Sequence, residues 1–481
     1  MIKLASIWLI LYVSIVFKLY IYEEMIAKKN ITNRFLSFLI LHVVLWTLIP
    51  AISNLNLPLD TIEALAWGSN LDWGFDKHPP LSAFVVEIFF QIFGTQDWAY
   101  YLLSQLFVTF SFFIVWKLSH EFFKEKILSL LSVLILTGIY FYNFTTPEFN
   151  VNVCQIPFWT LTVYYFWQCL KNDKVQSWVL FGLFAALGVL SKYLFFYLLI
   201  GIAFFFICKL RKNKKFNYKY FISLLVFLLV LTPHFMWLID NEFKTITYAL
   251  KRTNLEESNF LNHLLHPLKF TLKQVGILIP FFGLLSLIVS KFKFKFKFRD
   301  EKLVYLISVT LVPILIMLLT SIILGVNIRT MWMTPFYLFF GLFFIYIFES
   351  KINLNYLKRF MIFFLFIFIL SPVAYLYVSL SEDNKRTDFP GKEIGRLVQA
   401  KWEKNFINKI DIVVGDEWLA GNLSYHLQSR PRWFNNLSPE IKNLKLNGGV
   451  IYTGNARVLK SICPGEFGKI QLQGICMIGV R

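Results

Sequence analysis

Apolar stretches of near 20 residues alternate with short polar segments from the N-terminus to about residue 380. A helix of that length crosses a bilayer core roughly 30 Å thick. The pattern predicts spans at about 3–22, 35–53, 97–118, 127–143, 153–170, 177–191, 193–208, 220–239, 270–290, 303–325, 332–349 and 359–380. The first stretch contains Lys18 and is either a span or an interfacial helix. We therefore predict a polytopic α-helical membrane protein with about 11–12 transmembrane helices.

The last hundred residues follow a different pattern. Short apolar stretches at 410–416, 449–452 and 475–478 alternate with turn residues, and a helical stretch covers 393–402. This pattern is typical of a small α/β unit. We predict two domains, a transmembrane domain over 1–380 and a soluble domain over 381–481.

The charge supports this division and orients the chain. Only 16% of the residues are charged, against about 25% in soluble domains. The net charge of +19 comes from Lys and Arg in the segments 28–34, 117–126, 209–219, 291–302 and 351–359, between alternate apolar stretches. Basic residues in short loops mark the cytoplasmic side, so the charge indicates topology and not nucleic-acid binding. The alternating Lys-Phe run at 291–298 is interpreted as an anchor on anionic lipid.

This orientation puts 54–96, 144–152, 240–269 and the terminal domain outside. In the first of these loops, Asp60, Glu63 and Trp67 recur at a spacing that places them on one face of a helix. Lys77 and His78 follow on the same loop. A carboxylate can act as general base toward an acceptor hydroxyl, and a lysine can neutralise a phosphate leaving group. The alternative is that these are solvated or interfacial charges.

A second helix is predicted where Pro79 and Pro80 begin an apolar i, i+3, i+4 pattern that Gly94 ends. At 1.5 Å per residue it is about 21 Å long, too short to span. We expect it to lie in the outer membrane interface.

These motifs resemble a known family. The stretches 60–68 and 74–81 resemble the first outer loop of bacterial polyprenyl-phosphate-dependent glycosyltransferases of the GT-C superfamily. Related enzymes are the protein O-mannosyltransferases and the transferases that put aminoarabinose on lipid A. The resemblance continues in order through 149–152, 190–193, 233–237, 388–391 and 415–422. The family commonly has Asp-Glu at the loop start, whereas Thr61 follows Asp60 here and the next acid is Glu63. Which carboxylate is the base stays open.

The resemblance implies a GT-C-like fold and an inverting sugar transfer from a polyprenyl-phosphate carrier on the periplasmic face of the inner membrane. The acceptor is expected to be lipid A or another envelope glycolipid, or a protein in a protein O-glycosyltransferase of the same fold. No cofactor is required. A divalent cation is compatible with the resemblance, because some relatives bind one, but no ligand spacing demands it.

Residue by residue, Asp60 and Glu63 are the expected catalytic residues. The expected substrate-binding residues are Trp67, Lys77, His78, Asn150, Lys192, Tyr193, His234, Arg252 and Arg329. Lys192 and Arg329 are candidates for phosphate contacts, with snorkelling toward headgroups as the alternative.

Two further hypotheses follow from the sequence. A lipid flippase or secondary transporter would show inverted repeats and ionisable residues near span centres, whereas the acidic residues here gather on the outer side. Cys463 and Cys476 lie in the domain predicted to fold in an oxidising compartment. We expect them to form a disulfide, the alternative being two free, buried thiols.

Overall fold

The structure, a computed structural model, describes residues 30–212, 217–253, 259–293, 299–435 and 448–481. The predicted first span, 3–22, and positions 294–298 of the Lys-Phe run lie outside the described residues.

Helices of 8 to 26 residues make up most of the described chain before residue 382. In chain order they are α1 (Ile31–Ser53), α2 (Leu59–Gly68), α3 (Leu81–Phe93), α4 (Asp97–Phe122), α5 (Lys126–Leu134), α6 (Val151–Asn172), α7 (Val175–Ser191), α8 (Phe196–Lys212), α9 (Lys219–Asp240), α10 (Lys244–Arg252), α11 (Asn262–Ser286), α12 (Glu301–Leu324), α13 (Phe340–Ile347) and α14 (Leu357–Ser381). Short 3₁₀ turns extend several of them, and a 3₁₀ segment at Thr330–Tyr337 precedes α13.

Each predicted span from 35–53 onward falls on a helix. In the described residues, six helices are long and apolar enough to cross a membrane, or seven if the 3₁₀ segment and α13, bent by 55°, form one span. The remaining predicted spans are shorter apolar helices, such as α7. The exception is α6, which has 22 residues but includes Asn152, Gln155 and Gln168 among its buried side chains. A polar residue that faces other helices lowers the apolar average without preventing burial.

The ends of the spans meet as the predicted alternation requires. On the side predicted to be cytoplasmic, the Ser290 backbone N–H donates to the Lys351 carbonyl over 2.9 Å. On the opposite side, the Asn327 N–H donates to the Thr253 carbonyl over 3.1 Å. Segments assigned to one face of the membrane are therefore neighbours in the fold.

The two short helices of the first outer loop are confirmed. The first, α2, is buried along its length from Thr61 to Gly68. The second, α3, begins after Pro80 and ends at Gly94, whose φ of +58° suits glycine. The loop therefore folds inward against the rest of the protein instead of projecting into solvent.

The terminal residues form the predicted α/β unit. Its elements are α15 (Gly391–Asn405), β1 (Ile410–Val414), α16 (Leu419–His426), β2 (Arg432–Phe434), β3 (Gly449–Asn455), α17 (Ala456–Ile462), β4 (Glu466–Ile470) and β5 (Gln473–Ile478). The sheet order is β2-β1-β3-β5-β4, with β1 parallel to both of its neighbours and β5 antiparallel to both of its own. The predicted disulfide is present and ties Cys463, after α17, to Cys476 on β5.

This terminal unit packs directly on the first outer loop. Ala66 and Trp67 of α2 share an apolar core with Ile394, Val413 and other residues of the sheet and its helices. At Gly421 of α16, an added Cβ would lie 3.2 Å from the Cβ of Ala66. Because the two helices approach so closely, the terminal unit fixes the position of α2. The division at residue 380 remains a prediction.

The sidedness of the chain can be tested by labelling single cysteines in intact cells, in a Cys208→Ser background. We expect cysteines at Asp72 and Leu472, both exposed, to react with a membrane-impermeant reagent. Cysteines at Lys293 and Ser350, exposed at the ends predicted to be cytoplasmic, should react only after the cells are opened. The reverse pattern would invert the topology and put the outer loops in the cytoplasm.

Candidate active site

A cavity of about 560 Å³ lies between the loop 54–96, predicted to be an outer loop, and the helix ends on the same side of the fold. Ten of the residues predicted from the sequence line it: Asp60, Glu63, Trp67, Lys77, His78, Asn150, Lys192, Tyr193, Arg252 and Arg329. These residues are separated by up to 269 positions in the chain, so the fold brings together groups that the sequence only places on the same side of the membrane.

Lys77 is the most heavily paired cation of this cavity. Its Nζ lies 2.5 Å from Glu63 Oε2 on α2 and 3.0 Å from Glu417 Oε1 in the terminal unit. Burial alone would disfavour the charge on Lys77, but the two carboxylates outweigh it and raise the pKa of the amine. Lys77 is therefore held as a cation at the centre of the site.

The start of α2 is fixed by the second outer loop. The Asp60 backbone N–H donates to Glu148 Oε1 over 3.0 Å, and the Thr61 hydroxyl donates to the Phe149 carbonyl over 3.1 Å. An acceptor at a helix N-terminus satisfies one of its free N–H groups. These contacts orient Asp60 toward the cavity.

Three carboxyl groups at or next to the cavity have pKa values raised above the ordinary range. Burial raises the pKa of Asp60, against the opposing effect of Lys192 and Lys77. Burial also raises the pKa of Glu63 to about 7, with Lys77 lowering it, and that of Glu148 to about 8, with Asp60 adding to the rise. Carboxyl groups tuned toward neutrality are suited to exchange protons with substrate.

Aromatic rings surround His78. Its imidazole lies edge-on to Trp67, with ring centroids 6.0 Å apart, and to Tyr248, at 6.3 Å. Burial, with Lys192 and Lys77 nearby, lowers the pKa of His78 to about 3. The ring is therefore neutral at physiological pH. Trp67 also stacks on Phe75, with ring centroids 5.3 Å apart.

The remaining cations approach from the helix ends. Lys192, buried between α7 and the turn that begins α8, donates from Nζ to Asn152 Oδ1 over 2.5 Å and lies 5.3 Å from the Trp332 ring centroid. Arg252 ends α10, and Arg329 immediately precedes the 3₁₀ segment. Three positive groups thus lie around one wall of the cavity, where a phosphate group would be stabilised.

Two predicted residues have structural partners. The Asn150 side chain caps α6 by accepting from the N–H groups of Asn152 and Val153. His234 is not among the described residues that line the cavity, because it lies behind Tyr193. Its Nε2 is 2.7 Å from the Tyr193 hydroxyl, and its Nδ1 is 2.6 Å from the Trp73 carbonyl. His234 therefore contacts the cavity through Tyr193.

Several site residues were not predicted. Glu417 comes from a stretch matched at 415–422, but nothing in the sequence near it indicates a contact with Lys77. Tyr248 and Trp332 belong to segments without a motif. Glu148, by contrast, neighbours Asn150 on the loop 144–152, and this position already indicated that it could face the cavity.

The cavity wall is not uniformly polar. Apolar side chains of α12 and the segment after it contribute to it: Met317, Leu324, Val326, Ile328 and Met331. The cavity therefore offers both charged groups and an apolar surface. Among the described residues, no group of three or more His, Cys, Asp or Glu side chains could hold a metal ion.

Comparisons with known proteins agree with this arrangement. A family model, dolichyl-phosphate-mannose-protein mannosyltransferase, matches residues 77–237. Among solved structures, ArnT from Cupriavidus metallidurans bound to undecaprenyl phosphate has a TM-score of 0.65 at 11% identity, covering 93% of this chain and 98% of that one. The same protein in its apo state gives 0.60 at 10% identity over the same shares. No curated protein sequence matches.

The fold and the cavity define an integral membrane protein with a polar site at the ends of its helices. The chain shares the fold of ArnT over most of its length, and residues 77–237 match the mannosyltransferase family model.

The raised pKa of Glu148 predicts how stability depends on pH. The pKa of Glu148 is about 8 in the folded protein and 4.5 for a free carboxyl. Its contribution to the free energy of unfolding is therefore complete below pH 4.5 and is lost as the pH rises through 8. We expect the melting temperature of the wild type to fall more steeply between pH 6 and 9 than that of Glu148→Gln, by on the order of a few degrees.

Thermal unfolding of the purified protein in detergent measures this difference. Glu125→Gln, which removes an exposed carboxyl on the opposite side of the fold, should behave as the wild type. Parallel curves of melting temperature against pH for the wild type and Glu148→Gln would contradict the prediction.

Proposed function

We propose that this chain transfers a sugar from a polyprenyl-phosphate carrier to an acceptor at the periplasmic face of the inner membrane. The observation that carries the proposal is the cavity, in which Asp60 and Glu63 face Lys77, Lys192 and Arg329 beside an apolar wall. A lipid-linked sugar phosphate needs these three environments together. No soluble nucleotide sugar is expected to take part.

The carrier phosphate is assigned to the cationic side of the cavity. Lys192 lies 5.3 Å from the Trp332 ring centroid, and Arg329 and the apolar residues Met317 and Leu324 of α12 line the same cavity. The fold is shared with a protein whose structure contains undecaprenyl phosphate, which supports a carrier of this chemical class.

The chemistry is a single displacement. An acceptor oxygen attacks the anomeric carbon from the face opposite the phosphate, and the bond from that carbon to the phosphate oxygen breaks. The polyprenyl phosphate leaves with the bonding electrons, so the configuration at the carbon inverts. Lys77, Lys192 and Arg329 stabilise the negative charge that develops on the leaving phosphate.

The role of the carboxylate depends on the acceptor. A hydroxyl acceptor loses its proton to Asp60, whose raised pKa makes it a better base than an ordinary aspartate. An acceptor phosphate is already ionised, and Asp60 would then orient it or the sugar. Glu63 holds Lys77 in place next to this group.

The acceptor we propose is a membrane glycolipid, lipid A in the first place, as the resemblance of the outer loop to the aminoarabinose transferases suggests. The second candidate is a protein hydroxyl. The match of residues 77–237 to the protein mannosyltransferase family favours that reading.

Substitution of Asp60 tests the assignment of the catalytic group. Asp60→Asn should leave the protein folded and lower transfer by about 10²- to 10⁴-fold, because it removes the charge with little change in shape. Activity is measured with purified protein, a polyprenyl-phosphate sugar and candidate acceptors. Asp72→Asn, on the same loop but exposed, is the matched control.

Glu63→Gln, assayed in parallel, indicates which carboxylate matters more. Wild-type turnover by folded Asp60→Asn would remove Asp60 from the mechanism. A loss in Glu63→Gln alone would make Glu63 the base.

The acceptor can be identified from a deletion strain by mass spectrometry of lipid A and of envelope glycoproteins. We expect one sugar substituent to be missing from lipid A and restored by the wild-type gene but not by Asp60→Asn. Unchanged lipid A together with an altered glycoprotein would favour the second candidate.

A further inference from the structure

One ammonium group in this site is shared by carboxylates from two distant parts of the chain. Lys77 and Glu63 belong to the first outer loop, whereas Glu417 lies in the terminal unit, 340 positions after Lys77. The family-model match ends at residue 237 and does not include Glu417.

The backbone holds Glu417 in a defined position. Asp416, the preceding residue, accepts from the N–H groups of Trp418 and Leu419 over 2.9 and 2.7 Å and so fixes the start of α16. The same helix packs on α2 at Gly421. Nearby, Arg430 donates to the Leu65 carbonyl over 2.6 Å and to Glu87 over 2.7 Å. The distance between Glu417 and Lys77 is therefore set by packing and not by a mobile loop.

Two carboxylates beside one ammonium group exceed what neutralisation requires. A phosphate that approaches Lys77 meets two carboxylates that occupy two of its three N–H donors, and their negative charges oppose its binding. The site as built thus contains a competitor for the anion that it is proposed to hold.

The two carboxylates are not equally easy to displace. The Glu63 side chain is 10% exposed and the Glu417 side chain 19% exposed. Lys77 also lies closer to Glu63, at 2.5 Å, than to Glu417, at 3.0 Å. Water can solvate the more exposed Glu417 when Lys77 leaves it. Glu417 is therefore the partner that Lys77 can release.

We propose that Glu417 is a positioning residue that holds Lys77 in the empty site and yields it to the phosphate of the polyprenyl carrier. This inference rests on the proposed function. It makes the terminal unit a participant in donor binding. After transfer, Glu417 recaptures Lys77 and favours release of the polyprenyl phosphate.

Binding of undecaprenyl phosphate to the purified full-length protein in detergent tests the proposal. Because Glu417→Gln removes the competitor, it should lower the Kd by about two- to fivefold, the range expected for a partly exposed ion pair. A merely structural role would weaken binding. In the transfer assay, KM for the carrier should fall while kcat does not rise. Glu403→Gln, which removes an exposed carboxylate from the same unit, should leave the Kd unchanged.

Two further variants keep the test decisive. Glu417→Asp retains the charge but withdraws the carboxylate from Lys77, and should also tighten binding. It replaces Glu417→Gln in the test if that variant loses thermal stability. In a Lys77→Met background, Glu417→Gln should have no effect on the Kd.

Unchanged or weaker binding by the folded Glu417 variants would overturn the inference while leaving the proposed function intact. Failure of the wild type to bind undecaprenyl phosphate at all would overturn the proposed function, and the inference with it.

Discussion

Charges taken out of water need partners at close range, because dehydrating a carboxylate or an ammonium group costs several kcal/mol. Lys77 and Glu63 satisfy this need for each other at 2.5 Å. The pair holds only if α2 and the loop after it keep their relative position. The apolar core that α2 shares with the terminal sheet provides that rigidity. The packing of the outer loops can thus be understood as support for one ion pair.

The rest of the cavity is lined partly by charged side chains and partly by apolar ones. Lys192 is buried and is satisfied by Asn152 and by the face of Trp332. The neighbouring wall of α12 is apolar. A ligand with an anionic head and a hydrocarbon tail can meet both surfaces at once, whereas a water-soluble phosphate would leave the apolar wall exposed. The polarity of the lining therefore matches an amphipathic ligand better than a water-soluble one.

The sequence predicted most of this arrangement where local rules govern it. The i, i+3, i+7 spacing of Asp60, Glu63 and Trp67 predicted α2, and the prolines before Leu81 predicted α3, because helix geometry and proline placement are local properties. The strands β2 and β4 were not predicted. The first has three residues, and the second, Glu466–Ile470, lacks a continuous apolar stretch. The contact between Glu417 and Lys77 was not predictable from spacing, since it depends on how α16 packs against α2. His234 was assigned from its motif. A motif does not show whether a residue lines the cavity or lies behind the residues that line it.

The late position of Glu417 in the chain also matters for biosynthesis. Translation and insertion of every helix up to Ser381 would complete the membrane part and bring Asp60, Glu63 and Lys77 together. At that stage Lys77 has Glu63 but not Glu417, and the apolar faces of Ala66 and Trp67 await the terminal sheet. The site reaches its final form only after the terminal unit has folded. A chain still attached to the ribosome therefore lacks both the second carboxylate at Lys77 and the sheet that packs on α2.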